Sequence, residues 1–300
     1  MSTALANIAT LIAADAVTAG DISAARDMLR SAGCEVGAAD SVDDAKAVDL
    51  RFSGDVEQAR AVLADLQDRY DICVQPAANR RKMLLVSDMD STMITVECID
   101  ELADYAGIKP QIAEVTERAM RGELDFAEAL RARVLLLKGL DEAMIALCLS
   151  ERVRPMPGAQ QLVQTMTGWG AHTLLVSGGF VQFANDVAAR LGFAEARANM
   201  LGIADGKLTG KVEGDIVDAE AKRALLAARR SDTGVHPAAI VAVGDGANDI
   251  LMIAAAIEGG GMGAAYHAKP KAAAASNFVI QHSDLTALLY AQGIKAADWA

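Results

Sequence analysis

Basic charge is scarce in this sequence. Its 28 Lys and Arg stand against 40 Asp and Glu, leaving a formal charge of −12. A protein that binds nucleic acid without regard to sequence needs a broad cationic face, so that class is excluded. An anionic small substrate is not excluded, because a local cationic pocket can outweigh a negative global field. Cysteine is also scarce: Cys34, Cys73, Cys98 and Cys148 form no C-x-x-C pair. They do not fall at zinc-like spacing with His172, His236, His267 and His282 either. Buried free thiols in a reducing compartment are therefore expected. Long apolar runs are missing, so no membrane span is expected. The first stretch carries no Lys or Arg before Arg26, and Asp15 interrupts its apolar run, which argues against an export signal. The expected location is the cytoplasm.

What is present suits an ordinary globular chain. Three hundred residues, 52% of them hydrophobic and 23% charged, suffice for about two domains with packed cores. Residues 1–80 read as a small α+β unit. A strand over 9–15 is followed by a helix capped by Asp21 and ended by Gly33. Strands follow at 34–40 and 46–52, then a helix over 56–70 and a strand over 71–76. The order βαββαβ matches the ferredoxin-like pattern. Residues 76–82 read as a polar, basic linker.

From Met83 the pattern changes. MLLVSD (83–88) is a short apolar run ending in acid, as in a strand buried on both faces of a parallel sheet. Further strands are predicted at 172–177, 239–245, 261–266 and 278–281. Helices are predicted at 158–168, 180–192, 219–230, 247–257 and 284–291. The alternation predicts an α/β fold with a doubly wound, mostly parallel sheet. Residues 98–155 hold only helical patterns, so a helical insertion is expected over the carboxyl end of the sheet, where open α/β folds bind ligands. Pro155, Pro157 and Gly158 mark its return. The expected division is 1–80, a core of 83–97 and 156–300, and a cap of 98–155.

Four motifs carry chemistry. Asp88 and Asp90 flank Met89 at the end of the first buried strand, where both can face one point. One could act as an anionic nucleophile and the other, kept protonated, as a proton donor. Alone, such a pair is equally an acidic turn. Gly244-Asp245-Gly246-Ala247-Asn248-Asp249 follows another apolar strand and brings more acids to a strand end. At about 4 Å and an effective dielectric near 20, each like-charge pair costs roughly 4 kcal/mol, so the cluster wants a cation. Oxygen ligands without nearby His or Cys select Mg2+ over zinc. Ser177-Gly178-Gly179 offers a hydroxyl and free N–H groups to a phosphate oxygen, or forms a common strand-to-helix turn. Lys222 near a helix start reads, by itself, as a solvated charge.

In this order the four pieces resemble the haloacid dehalogenase-like phosphohydrolases over residues 83–290. The strings DMDSTMITVECIDELA, LRARVLLLKGL, VSGGF, VGDGANDI and AYHAKPK are similar to those of the phosphoserine phosphatases within that superfamily. The resemblance implies that Asp88 attacks phosphorus and that Asp90 serves as acid and then base. It implies Mg2+ held by Asp88, the Asp90 carbonyl and Asp245, with Asp249 holding the metal's waters. Ser177, Gly178 and Lys222 would bind the phosphoryl oxygens, and Asn248 the phosphate or its water. The implied reaction is hydrolysis of O-phospho-L-serine through an aspartyl-phosphate; another small phosphomonoester, or transfer to a homoserine acceptor, is the alternative.

Asp125 can cap a helix starting at Phe126, which places Phe126, Ala129, Leu130 and Arg133 on one face. Arg133 there either snorkels to solvent or grips a carboxylate with two hydrogen bonds. The resemblance implies the second, with Glu97 facing the substrate ammonium and Met120 and Phe126 closing over the ligand. For residues 1–80 the topology is similar to ACT-type regulatory domains. That leaves open an amino-acid effector, a homodimer contact or a passive appendage.

Overall fold

The structure, a computed structural model, describes residues 5–300, the side chain of Met120 excepted. Expectations for Met120's contacts therefore lie outside the described residues. The N-terminal unit consists of β1 (Asn7–Ile12), α1 (Ala19–Ser31), β2 (Glu35–Asp43), β3 (Ala47–Ser53), α2 (Val56–Leu63) and β4 (Asp71–Pro76). Its four strands form an antiparallel sheet in the order β2-β3-β1-β4, the ferredoxin-like arrangement the element order predicts. Two details differ from expectation. Thr18, not Asp21, caps α1, its hydroxyl accepting from the Asp21 N–H. Asp21 turns inward, accepting from the Tyr70 hydroxyl at 2.6 Å and pairing with Arg69. The helix expected over 56–70 ends at Leu63 and tightens into a 3-10 turn over Ala64–Leu66.

The rest of the chain runs β5 (Leu84–Ser87), α3 (Cys98–Tyr105), α4 (Lys109–Met120), α5 (Phe126–Leu136), α6 (Ala143–Glu151), α7 (Ala159–Gly168), β6 (His172–Phe180) and α8 (Val181–Leu191). It continues through β7 (Glu195–Ala204), β8 (Lys207–Glu213), α9 (Ala219–Thr233), β9 (Ile240–Gly244), α10 (Ile250–Glu258), β10 (Met262–Tyr266), α11 (Pro270–Ala274), β11 (Phe278–Ile280) and α12 (Ala287–Ala291). Seven strands form one sheet in the order β11-β10-β9-β5-β6-β7-β8. Its pairs are parallel except β7 with β8. Every residue of β5 is buried, which explains its unbroken apolar sequence.

The β7–β8 hairpin is the element the sequence reading missed. Ala204 pairs with Lys207 across a two-residue turn, and both Asp205 (φ 51°) and Gly206 (φ 73°) are left-handed there. Asp-Gly is the preferred sequence for this turn, so a signal existed. Apart from the buried Asn199, Leu201, Gly202, Leu208 and Gly210, the strand residues are half-exposed or exposed, which blurs the alternation.

Residues 76–82 form the polar, basic connection expected, with Pro76, Ala78, Asn79 and Arg81 exposed, but Arg80 and Lys82 turn inward. The Arg80 guanidinium donates to both Asp49 oxygens, at 2.6 and 2.7 Å, and to the Ala291 carbonyl at 3.0 Å. Lys82 is 2% exposed. Asp71 reaches the other sheet and accepts the backbone N–H groups of Gln281, His282 and Ser283 at 2.7–3.1 Å. These charges are buried because each finds partners on the facing unit, which composition cannot reveal.

Candidate active site

The carboxyl ends of β5, β6 and β9 lie side by side, because β5 pairs with both neighbours. The residues just past those ends therefore converge. Asp88 follows β5 and is 4% exposed. Asp245 and Asp249 follow β9, and the three carboxylates offer oxygens all within 4.8 Å of one another. Asp249 is fully buried, and its Oδ2 accepts the N–H groups of Asp245 and Gly246 at 3.2 and 3.0 Å. Gly244 makes room for it: a Cβ there would lie 2.3 Å from the Asp249 Cγ.

Lys222, four residues into α9, sits at the centre with no exposed surface. Its ammonium donates to Asp88 Oδ1 at 2.6 Å and to Asp249 Oδ1 at 2.7 Å. Asp218 caps the helix by accepting the Ala221 N–H, which fixes the turn that delivers the lysine. Burial opposes the lysine's charge, but the Asp249 and Asp88 carboxylates outweigh it and hold the ammonium protonated. Burial and Asp249 push the Asp88 carboxyl up, and Lys222 pulls it back. The Lys222 ammonium alone cannot neutralise three carboxylates, and the Lys269 ammonium near Asp245 is largely exposed, so the cluster still attracts a cation.

Asp90 lies beside this cluster. Burial, then the Glu97 carboxylate, push its pKa up to about 7. Its Oδ1 accepts the Cys98 N–H at the start of α3. Ser91 between the two acids adopts φ 57°, a left-handed conformation uncommon outside glycine, and its hydroxyl donates to Glu97 at 2.8 Å. Ser177 is 1% exposed where the ladder of β6 with β7 breaks after Val176, and its hydroxyl oxygen accepts the Gly179 N–H. A Cβ on Gly179 would lie 2.8 Å from Asp90 Oδ2 and 3.0 Å from Ser177 Oγ, so both side chains flank one glycine. Asn248 occupies the 3-10 turn between β9 and α10.

Side chains of the 98–155 segment reach this region. Asp125 caps α5, as its sequence implied, in a reciprocal capping box with Glu128. The Phe126 ring reaches Gly178: a Cβ there would be 2.9 Å from Phe126 Cζ. Arg133 is half-buried on the same helix. Burial lowers its pKa, opposed by the carboxylates of Asp100, Glu97 and Asp90. Among the described residues, none of these acids lies within ion-pair distance of it.

The family profile of the haloacid dehalogenase-like hydrolases matches residues 82–256. The chain belongs to the haloacid dehalogenase-like hydrolases. Among relatives of this hydrolase, a phosphoserine phosphatase of Haemophilus influenzae is 45% identical over 206 residues. That stretch covers 69% of this chain and 64% of the other, so less than two thirds of that relative's length is matched. A phosphoserine phosphatase of Polaromonas is 44% identical, over 69% of this chain and 88% of its own. The crystal structure of a probable phosphoserine phosphatase from Vibrio cholerae superimposes with a TM-score of 0.75 at 32% identity, covering 96% of this chain and 86% of that one. A substrate-bound phosphoserine phosphatase complex aligns at 36% identity with a TM-score of 0.64, covering 70% and 97%.

Two residues beside the hydrolase's acidic cluster escaped the sequence reading. The Thr92 hydroxyl donates to Asp245 at 3.4 Å, and the Lys269 ammonium lies 3.6 Å from the same carboxylate. Thr92 adjoins the first motif and could have been flagged; Lys269 arrives from the loop after β10, which only the strand order brings near. Among the described residues, no helix is long and apolar enough to cross a membrane.

Proposed function

We infer that the chain hydrolyses O-phospho-L-serine to L-serine and inorganic phosphate with the help of bound Mg2+, in the cytoplasm. The observation that carries this reading is the fully buried Lys222 ammonium bonded at once to Asp88 and Asp249. Such a cluster at a strand end places a carboxylate, a fixed cation and neighbouring acids around one point. Phosphoryl transfer asks for that positioning and charge balance. The division into a unit of 1–80, a core of 83–97 and 156–300 and a cap of 98–155 belongs to the same reading.

An Asp88 oxygen attacks phosphorus, and the bond from phosphorus to the serine oxygen breaks as Asp90 donates a proton to that oxygen. A pKa near 7 suits a group that must give a proton and then take one. Asp90, now ionised, accepts a proton from the water that attacks the aspartyl-phosphate. Phosphate leaves and the Asp88 carboxylate is restored. Ser177, the Gly178 N–H and Lys222 hold the other phosphoryl oxygens, and Asn248 contacts phosphate or its water. Asp88, the Asp90 main-chain carbonyl and Asp245 are suited to hold Mg2+, with Asp249 supporting its waters. The all-oxygen donor set fits a hard cation. When bound, the ion offsets negative charge on the carboxylates and the phosphoryl group. Arg133 takes the serine carboxylate, Glu97 its ammonium, and Phe126 closes over the ligand. Arg133 is half-buried near three acids and paired with none; its Nε donates to the Ala129 carbonyl at 3.3 Å, which leaves the two terminal nitrogens for that carboxylate.

Phosphate release tests this reading. Wild type with Mg2+ should cleave phosphoserine, whereas Asp88→Asn or added EDTA should abolish turnover. Arg133→Ala should raise KM for phosphoserine and spare an aryl phosphate. Equal losses on both esters would remove Arg133 from serine recognition. Faster turnover of another ester, or transfer to homoserine, would replace the substrate.

A further inference from the structure

We propose that Asn199 is a positioning residue for phosphoryl binding, a clamp between the Ser177-Gly178 loop and the segment that delivers Lys222. The proposal rests on the phosphatase reading above.

Asn199 lies on β7, outside the acidic cluster, with no exposed surface. Its amide donates to the Gly178 carbonyl at 2.8 Å, and its side-chain oxygen accepts the Val217 N–H at 2.8 Å. Val217 directly precedes Asp218, the cap of α9, and Lys222 lies one turn further on. One side chain thus links both protein groups proposed to hold the phosphoryl oxygens.

The sheet register explains the position. Val176 pairs with Arg197 and Phe180 with Asn199, so β6 uses four steps where β7 uses two. The surplus residues, Ser177 to Gly179, bulge out of the ladder and lose strand partners. Asn199 replaces one of them. The peptide unit is planar, so fixing the Gly178 carbonyl toward Asn199 turns the Gly179 N–H the opposite way. That N–H points to Ser177 Oγ, 2.8 Å away, and so orients the hydroxyl. Asparagine alone suits both contacts, because an ionised aspartate can accept from Val217 but cannot donate to Gly178.

Asn277 provides a matched control. It makes the same two-ended contact, accepting the Gly263 N–H at 2.9 Å and donating to the Gly261 carbonyl at 3.1 Å, but at the β10–β11 end of the sheet. Asn199→Asp and Asn277→Asp should both lower Tm, the first more because Asn199 is fully buried and Asn277 only half-buried. Calorimetric titration with inorganic phosphate in saturating Mg2+ should separate them. Asn199→Asp should bind phosphate at least about tenfold more weakly and lose a similar factor in kcat on an aryl phosphate, while Asn277→Asp matches wild type in both. Should Asn199→Asp be recovered unfolded, Asn199→Ser carries the same expectation. Phosphate affinity and kcat unchanged in a folded Asn199 variant, or lowered equally in Asn277→Asp, would overturn the proposal. A wild type that binds phosphate and cleaves the aryl ester but not phosphoserine would sink the substrate reading alone.

Discussion

At the residue scale, Lys222 shows how burial changes the meaning of a side chain. In the sequence it is one lysine among many near a helix start. In the fold it is completely buried and bonded to two carboxylates. Lys222→Met would leave Asp88 and Asp249 buried without their counter-charge, at a cost of about 3–5 kcal/mol. Urea unfolding should show that loss. Phosphate release should fall by about 10²–10³, the usual effect of removing one charge-stabilising group. An unchanged unfolding midpoint would mean the two acids are protonated or paired elsewhere. Asp88, Asp90, Asp245 and Ser177 stood out because their motifs follow one another in order along the chain; each motif alone is also an ordinary turn. Asn199 was not, since its role depends on a bulge in β6 that no local pattern announces.

At the element scale, α5 connects recognition to local helix chemistry. Asp125 Oδ1 accepts the Glu128 N–H at 2.7 Å, and Glu128 Oε2 accepts the Asp125 N–H at 3.0 Å. Asp125→Ala should destabilise the first turn by about 1 kcal/mol. Hydrogen exchange should quicken there. KM for phosphoserine should rise a few-fold, because Arg133 rides on the same helix, while turnover of an aryl phosphate stays the same. This helix was legible because its Asp125 cap and its apolar face are local signals; the reciprocal Glu128 contact was not read from the sequence. The β7–β8 hairpin was not, although its Asp-Gly turn is a strong cue. β8 is the edge of the sheet and β7 is exposed or half-exposed along much of its length, so the pattern of a strand buried on both faces is missing there.

At the scale of the whole molecule, the N-terminal unit is joined to the core by buried charge. Lys82 is a pH-sensitive part of that junction. Its ammonium donates to the Asn79 and Ala238 carbonyls, and burial lowers its pKa from 10.5 to about 8. Below about pH 8 both folded and unfolded chains carry the proton, and folding bears the full cost of burying it. Between about 8 and 10.5 the folded chain has released a proton that the unfolded chain keeps, so stability rises with pH. Wild type should gain up to about 1.4 kcal/mol per pH unit relative to Lys82→Met in this window. Denaturant unfolding of both proteins from pH 7.5 to 10 checks it, and a constant difference between them would refute it.

Element types, the order of the parallel strands' motifs and the acids at their tips follow from short-range regularities: apolar run length, helical spacing and turn residues. Those regularities depend on neighbours within a few positions, so one chain displays them without folding. The pairing of Lys222 with Asp88 and Asp249, the reach of Asn199 across a bulge, and the lodging of Arg80 against Asp49 and Ala291 depend on strand order and register. Register is settled by packing between segments far apart in the chain, and only folding brings those partners within hydrogen-bond distance.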